Sequence, residues 1–215
     1  MNTKTKRTNE TRLIPITALE RRKKLYSLSF FSICMMKRLT FLTGNQNKLR
    51  EARQILSGYE IVNEKIDLPE YQGDPHFIAA EKARLAVDTL KRPVFIDDTN
   101  LCFDALKGLP GPYIKDFLRL GTDGLVKILE PWNNKKAKAV ALIAYCEPGM
   151  EPVVFEGVTH GTIVAPRGDH NFGWDPIFLP NGYDKTYAEM ASEEKNQISH
   201  RSKALEAFKE YLDSQ

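Results

Sequence analysis

The feature that most restricts the fold of this chain is the order of its hydrophobic periods. Strand-like and helix-like segments alternate from residue 38 to residue 96, strand-like segments then dominate, and a helical segment closes the chain. That order predicts a mixed α/β fold, because helices alternating with strands must bury their apolar stripes against a sheet. Leu39, Phe41 and Leu42 mark a strand over 38–43. Leu49, Ala52, Ile55 and Leu56 then share one stripe of a helix over 46–56, with Asn45 as its N-cap. A second strand follows over 60–66. Asp74-Pro75 opens a helix running to about 91, since proline suits the first helical position, and its buried side is Ile78, Ala79, Ala83, Ala86 and Leu90.

Pro93-Val94-Phe95-Ile96 reads as a buried strand that delivers Asp97-Asp98-Thr99 at its carboxyl end, where ligands of α/β sheets collect. Gly108-Leu109-Pro110-Gly111-Pro112 reads as an irregular loop, followed by helical spacing over 113–120 and 125–129. The β-type composition of 137–146 and 152–164, on either side of Glu147-Pro148-Gly149, predicts a long hairpin projecting from the sheet. Ser199 or a neighbour caps a last helix reaching about 212.

A chain of 215 residues with 42% hydrophobic content supports one core, or two lobes sharing one, rather than two independent domains. Its net charge of +3 suggests nucleic acid until the distribution is considered. Eight Lys and Arg against two Glu give residues 1–34 a charge of +6, which leaves the rest of the chain at −3. A mildly acidic body has no general attraction for a phosphate polymer, so no nucleic-acid partner is expected and any phosphate binding must be local and metal-assisted.

The domain reading is therefore an N-terminal extension over 1–36, disordered or non-native with Met35 or Met36 as the working start, ahead of one catalytic domain over 37–215. The Ser, Thr and Arg content of the extension also resembles an organelle transit peptide, against a default expectation of the cytoplasm. Its apolar stretch, 25–36, is interrupted by Ser27, Ser29 and Ser32 and is far shorter than the ~20 residues of a membrane span, so no membrane anchor is expected. Cys34, Cys102 and Cys146 form no C-x-x-C pair, which suits a reducing compartment and packing roles.

Three segments carry candidate chemistry, and together they read as the two ends of a nucleoside triphosphate site. Thr43-Gly44-Asn45-Gln46-Asn47-Lys48 joins a strand to a helix, offering backbone amides and one ammonium to phosphates, although the same residues also suit an ordinary turn with a solvated lysine. Phe172-Gly173-Trp174-Asp175 offers an aromatic platform for a base, or a core cluster under a turn. Ser199-His200-Arg201 offers donors to a ring carbonyl, or a cap with a surface charge. Asp97 and Asp98 are hard oxygen ligands for Mg²⁺ or a general base. Successive strand residues face opposite ways, so one of them, Asp98, is expected in the site, with Glu70 supplying a second carboxylate. Lys82 and Lys115 read as surface lysines when taken alone.

With Phe41-Leu42-Thr43-Gly44-Asn45, the 65–73 segment, Asp98-Thr99 through Leu109-Pro110-Gly111-Pro112-Tyr113-Ile114-Lys115, the 163–168 and 172–176 segments, Thr186-Tyr187-Ala188-Glu189-Met190, and Glu194-Lys195-Asn196 with Ser199-His200-Arg201, the sequence resembles the inosine triphosphate pyrophosphatase family from Arg38 onward. The resemblance implies a homodimer of elongated, two-lobed α/β subunits, with a mixed sheet, flanking helices and a substrate cleft between the lobes. It implies Mg²⁺, with Mn²⁺ as a substitute, held by Glu70 and Asp98, and Asp98 as the catalytic residue. The substrate set it implies is Thr43, Gly44, Asn45, Gln46, Asn47 and Lys48 at the phosphates, Lys82, Asp98, Thr99, Lys115 and Lys195 along the substrate, and Phe172, Gly173, Trp174, Asp175, His200 and Arg201 at the base. The reaction implied is hydrolysis of inosine, deoxyinosine and xanthosine triphosphates to the monophosphate and pyrophosphate. Alternatives are a catalytically silent nucleotide-binding protein and a related pyrophosphatase for other modified nucleotides. The N-terminal extension and Asp97, where eukaryotic members often carry Glu, depart from the family pattern.

Overall fold

The computed structural model describes residues 37–169 and 172–215, so the expectations for the N-terminal extension, including Cys34, lie outside the described residues. The chain runs β1 (Arg38–Leu42), α1 (Gln46–Ile55), β2 (Glu60–Glu64), α2 (Pro75–Leu90) and β3 (Val94–Phe103). Next come β4 (Pro110–Gly111), α3 (Ile114–Phe117), α4 (Gly121–Ile128), β5 (Lys136–Cys146), β6 (Val153–Ile163), β7 (Phe178–Pro180), α5 (Ser192–Ile198) and α6 (His200–Asp213). The seven strands form one mixed sheet in the order β2-β1-β3-β5-β6-β7, with β4 paired to β3.

β1 lies parallel to β2 on one side and to β3 on the other. The β1-to-β2 connection and the β2-to-β3 connection run across the sheet in opposite directions, so crossovers of the usual hand place α1 and α2 on opposite faces of the sheet. Leu49 and Ala52 of α1 and Leu56, which caps its C-terminal end, pack with Phe41, Phe95 and, from α6, Leu205 and Phe208. Ala79, Ala83, Ala86 and Val87 of α2 pack with Leu42, Val94 and Ile96 on the other face. Asn45 and Asp74 cap these helices through their side chains, as their positions in the sequence predict. A third cluster, from Leu101 and Phe103 through Ile114, Leu125 and Ile177 to Tyr187, fills the far end of the sheet.

Three expectations for the middle of the chain are corrected. The hairpin of β5 and β6 does not project from the sheet but lies within it, because β5 pairs with β3 and β6 with β7. β3 does not end at Ile96 but continues through both aspartates to Phe103, because β5 pairs with it antiparallel over its whole length and Leu101 and Phe103 are fully buried. The loop over 108–112 contains a short strand, β4, which pairs with Leu101 and Cys102. β1 leaves the same edge of β3 after Ile96. Residues 97–100 therefore face a gap in the sheet between β1 and β4. This gap adjoins the carboxyl end of β1, where the strand order reverses, and such switch points collect ligands.

Candidate active site

A cleft of about 740 Å³ opens at this gap. Its wall includes Thr43, Gly44, Asn45 and Lys48 from the β1–α1 turn, Glu70 and Lys82 from the α2 side, Asp98 and Thr99 from β3, and Lys115 from α3. Phe172, Gly173, Trp174, Asp175, His200 and Arg201 complete the opposite end. Residues separated by more than 150 positions in sequence thus meet around one space. Gln46, Asn47 and Lys195, expected to touch substrate, are not part of this wall.

At the turn after β1, the expectation of free amides and a free ammonium is corrected. The Asn45 side chain accepts from the backbone amides of Asn47 and Lys48, and Thr43 Oγ1 accepts from the Asn45 amide. Lys48 Nζ donates to the backbone oxygen and to Oδ1 of Asp97, each at 2.9 Å. The sequence alone could not show this, because the partner lies 49 positions on, across the sheet. What this turn presents to an anion is the positive end of α1 and a lysine already neutralised on one side.

The two aspartates of β3 are divided by the pleat. The Asp98 side chain, 21% exposed, faces the α2 side and accepts from Lys82 Nζ at 3.3 Å. The same ammonium donates to Glu70 Oε2 at 3.0 Å, and Lys115 Nζ donates to Glu70 Oε1 at 3.0 Å. These two lysines hold the Glu70 carboxyl below the ordinary glutamate value. Burial pushes Lys82 down, but the charges of Asp98 and Glu70 outweigh it and raise it overall, so it stays an ammonium. Glu70 and Asp98 therefore share one counterion in one cleft. Among the described residues no group of three or more carboxylate, imidazole or thiol side chains is placed to hold a metal ion. A divalent cation here would draw on two carboxylates and complete its shell with substrate oxygens and water, which is how Mg²⁺ is held at nucleotide sites, so the donor set fits.

The Asp97 side chain, fully buried, faces the α6 side and accepts from Arg201 Nε at 2.5 Å. Arg201 Nη1 donates to Glu51 Oε2 at 2.6 Å, and Nη2 donates to Thr99 Oγ1 at 3.0 Å. Lys195 Nζ donates to Glu51 Oε1 at 3.2 Å and to Asp175 Oδ2 at 2.5 Å, and it stands 4.3 Å from the Phe172 ring centroid. Six charges thus alternate in sign from Lys48 through Asp97, Arg201, Glu51 and Lys195 to Asp175, joining the phosphate-side turn to the aromatic platform. Burial alone would raise Asp97, but Arg201 and Lys48 reverse this and hold it well below the carboxylate range. At Asp175 burial wins over Lys195 and the carboxyl is raised. Glu51 escaped the sequence reading. Its signal was a carboxylate one turn before Ile55, at the edge of the α1 face predicted to be buried, where an unpaired charge would be too costly to keep.

Arg201, expected to offer donors to a base, spends three nitrogens on protein partners. His200 differs. Its imidazole is buried between Trp174 and Tyr187, and neither ring nitrogen has a protein partner. Burial, with the charges of Arg201 and Lys195, holds it far below 6.5, so it is neutral and presents one donor and one acceptor. Because the unfolded chain takes up this proton near 6.5 and the folded one does not, His200 costs stability as the pH falls below that value. Asp175, with its raised carboxyl, works in the opposite sense. We expect the melting temperature to fall between pH 7.5 and 5.5 less steeply in His200→Gln than in the unaltered protein, and equal slopes would contradict a neutral buried imidazole.

A mixed sheet whose switch point opens into a cleft with acids and lysines at one end and an aromatic platform at the other defines the class of α/β proteins that bind nucleotides at strand ends. Within it, the chain belongs to the Ham1 family, whose model matches residues 39–211. An inosine triphosphate pyrophosphatase of Puccinia graminis f. sp. tritici is 50% identical over 185 residues, covering 81% of this chain and 96% of that protein. A Ham1 protein from Coxiella burnetii is similar in structure with a TM-score of 0.75 and 29% identity, over 84% of this chain and 100% of that one. A nucleoside-triphosphatase, or dITP/XTP pyrophosphatase, from Mycobacterium abscessus gives a TM-score of 0.65 and 32% identity, over 80% of this chain and 98% of that one.

Proposed function

We propose that this protein is a nucleoside triphosphate pyrophosphatase that hydrolyses inosine, deoxyinosine and xanthosine triphosphates to the monophosphate and pyrophosphate. The observation that carries this reading is the convergence of Glu70, Asp98, Lys82 and Lys115 on one cleft whose far end is built from Phe172, Trp174 and His200. The names of the relatives agree with it.

In this reading Lys82 and Lys115 bind triphosphate oxygens and the positive end of α1 adds to the field at the phosphates. Asp98 accepts the proton of the water that attacks the α-phosphorus. Glu70 and Asp98 would hold Mg²⁺, or Mn²⁺ in its place, which when bound neutralises charge on the anhydride. The protein contributes mainly position and fixed charge, as is general for phosphoryl transfer. At the other end Phe172 stacks on the purine. His200 meets the keto oxygen at position six with its one donor. Adenine brings an amino donor there, and the unmatched contact costs about 1 to 3 kcal/mol. The oligomer belonging to this reading is a homodimer and its compartment the cytoplasm, both resting on family membership. Residues 37–215 form one compact unit, which we take as the catalytic domain.

The test is pyrophosphate release by the purified protein from ITP, dITP, XTP, GTP, ATP and dUTP with Mg²⁺. Release from the first three, with ATP turned over at least tenfold more slowly, is expected. Release from none would leave a silent binding protein, and preference for dUTP a pyrophosphatase of different specificity.

A further inference from the structure

Both oxygens of Glu70 and one of Asp98, the carboxylates a divalent cation would need, are already taken by ammonium groups at 3.0 to 3.3 Å. The two lysines differ in freedom. Lys82 is 16% exposed and rooted in α2, whereas Lys115 is 84% exposed on α3, a different wall of the cleft. Exposed pairs such as Glu70–Lys115 contribute little to stability. Structural support therefore does not account for two lysines on one carboxylate at the mouth of a cleft.

We propose that Lys82 and Lys115 are exchangeable counterions. In the nucleotide-free cleft they hold Glu70 and Asp98 closed to a divalent cation, and an arriving triphosphate draws the ammonium groups to its own oxygens and frees the carboxylates. This rests on the reading of the cleft as a nucleoside triphosphate site. Two ammonium groups balance two carboxylates in the empty site. A bare divalent cation would add two positive charges beside the lysines, whereas a cation carried with a triphosphate brings the anion that the lysines turn to. An ammonium on a four-carbon stem is suited to such a change of partner, being a point charge without the fixed geometry of a guanidinium. Cation and nucleotide affinities are then linked, each raising the other by the same factor. The exchange keeps a cation from settling on the carboxylates before substrate arrives.

The experiment is Mn²⁺ titration of the nucleotide-free protein, following free Mn²⁺ by its electron paramagnetic resonance signal. Lys115→Gln and Lys82→Gln are each expected to tighten Mn²⁺ binding by about tenfold, within the usual range of site coupling. Adding Glu70→Gln to either variant should remove the gain, which locates the cation at this pair. Equal Mn²⁺ affinity in the unaltered protein and Lys115→Gln overturns the proposal, as does a gain that survives Glu70→Gln. Should Lys82→Gln fail to fold, the exposed Lys115→Gln decides alone. The titration needs no turnover, so an active enzyme without the exchange and a silent protein that shows it give different pairs of results.

Discussion

Asp98→Asn is expected to reduce turnover of inosine triphosphate by about 10²- to 10⁴-fold, the usual contribution of a positioned acid or base. The folded structure and the binding of substrate should survive. Asparagine has the shape of aspartate and can still accept from Lys82, so the cleft wall keeps its form. What it loses is the ability to take a proton from water and half the anionic charge of the Glu70–Asp98 pair. Because the Asp98 side chain is 21% exposed and bonded to one lysine, its change should hardly move the melting temperature. Single-turnover rates and substrate calorimetry on the same preparation check both halves. Turnover above about a tenth of normal would remove Asp98 from the role of proton acceptor, since a catalytic base is worth far more than tenfold.

The second large effect falls on stability. Arg201→Met should destabilise the fold by about 3 to 5 kcal/mol, the usual cost of removing one partner from a buried ion pair. Measured against a typical stability of about 5 to 15 kcal/mol, this is a large share. Asp97 and Glu51 would each retain one lysine, Lys48 and Lys195 respectively, but the guanidinium that joins them would be gone. Arg201→Lys should rescue only part of the loss, because one ammonium cannot reach Asp97, Glu51 and Thr99 as three guanidinium nitrogens do. Urea denaturation midpoints give the comparison. A change below about 1 kcal/mol for Arg201→Met would mean that the pairs roughly break even with their desolvation, as buried ion pairs can. The two substitutions thus separate two neighbouring acids of one strand: Asp98 acts on the rate, and Asp97, through Arg201, on the fold.

The parts legible in the sequence were those set by short-range physics. The helical stripe of α1 and its Asn45 cap, the Asp74-Pro75 start of α2, the hairpin of β5 and β6 and the Ser199 cap of α6 all follow from periodicity and capping within about a dozen residues. That only one of Asp97 and Asp98 enters the cleft follows from the alternation of a strand, which holds wherever the strand is, but alternation does not say which of the two it is. Less legible was where β3 ends, because its last seven residues are strand through pairing with β5, some forty positions later, and at Leu101 and Cys102 with β4 as well. Lys48 and Glu51 belong to the same class. Their partners, Asp97, Arg201 and Lys195, come from other elements, and no local pattern distinguishes a lysine that meets a phosphate from one that meets an aspartate.

Taken by itself, the sequence determined the alternating strands and helices of residues 38–96, the β5–β6 hairpin and the closing helix α6, that they make a mixed α/β sheet, and which residue types could serve a nucleoside triphosphate. Periodicity, capping and pleat alternation act over a few residues and so are written locally. Tertiary structure alone decided that β1 stops short of β4 and leaves a gap beside residues 97–100, that Glu70 and Asp98 share Lys82, and that Lys48 and Arg201 turn inward to one buried aspartate. Charge pairing depends on distance in space, and only the packing of α1, α2 and α6 against the sheet sets those distances.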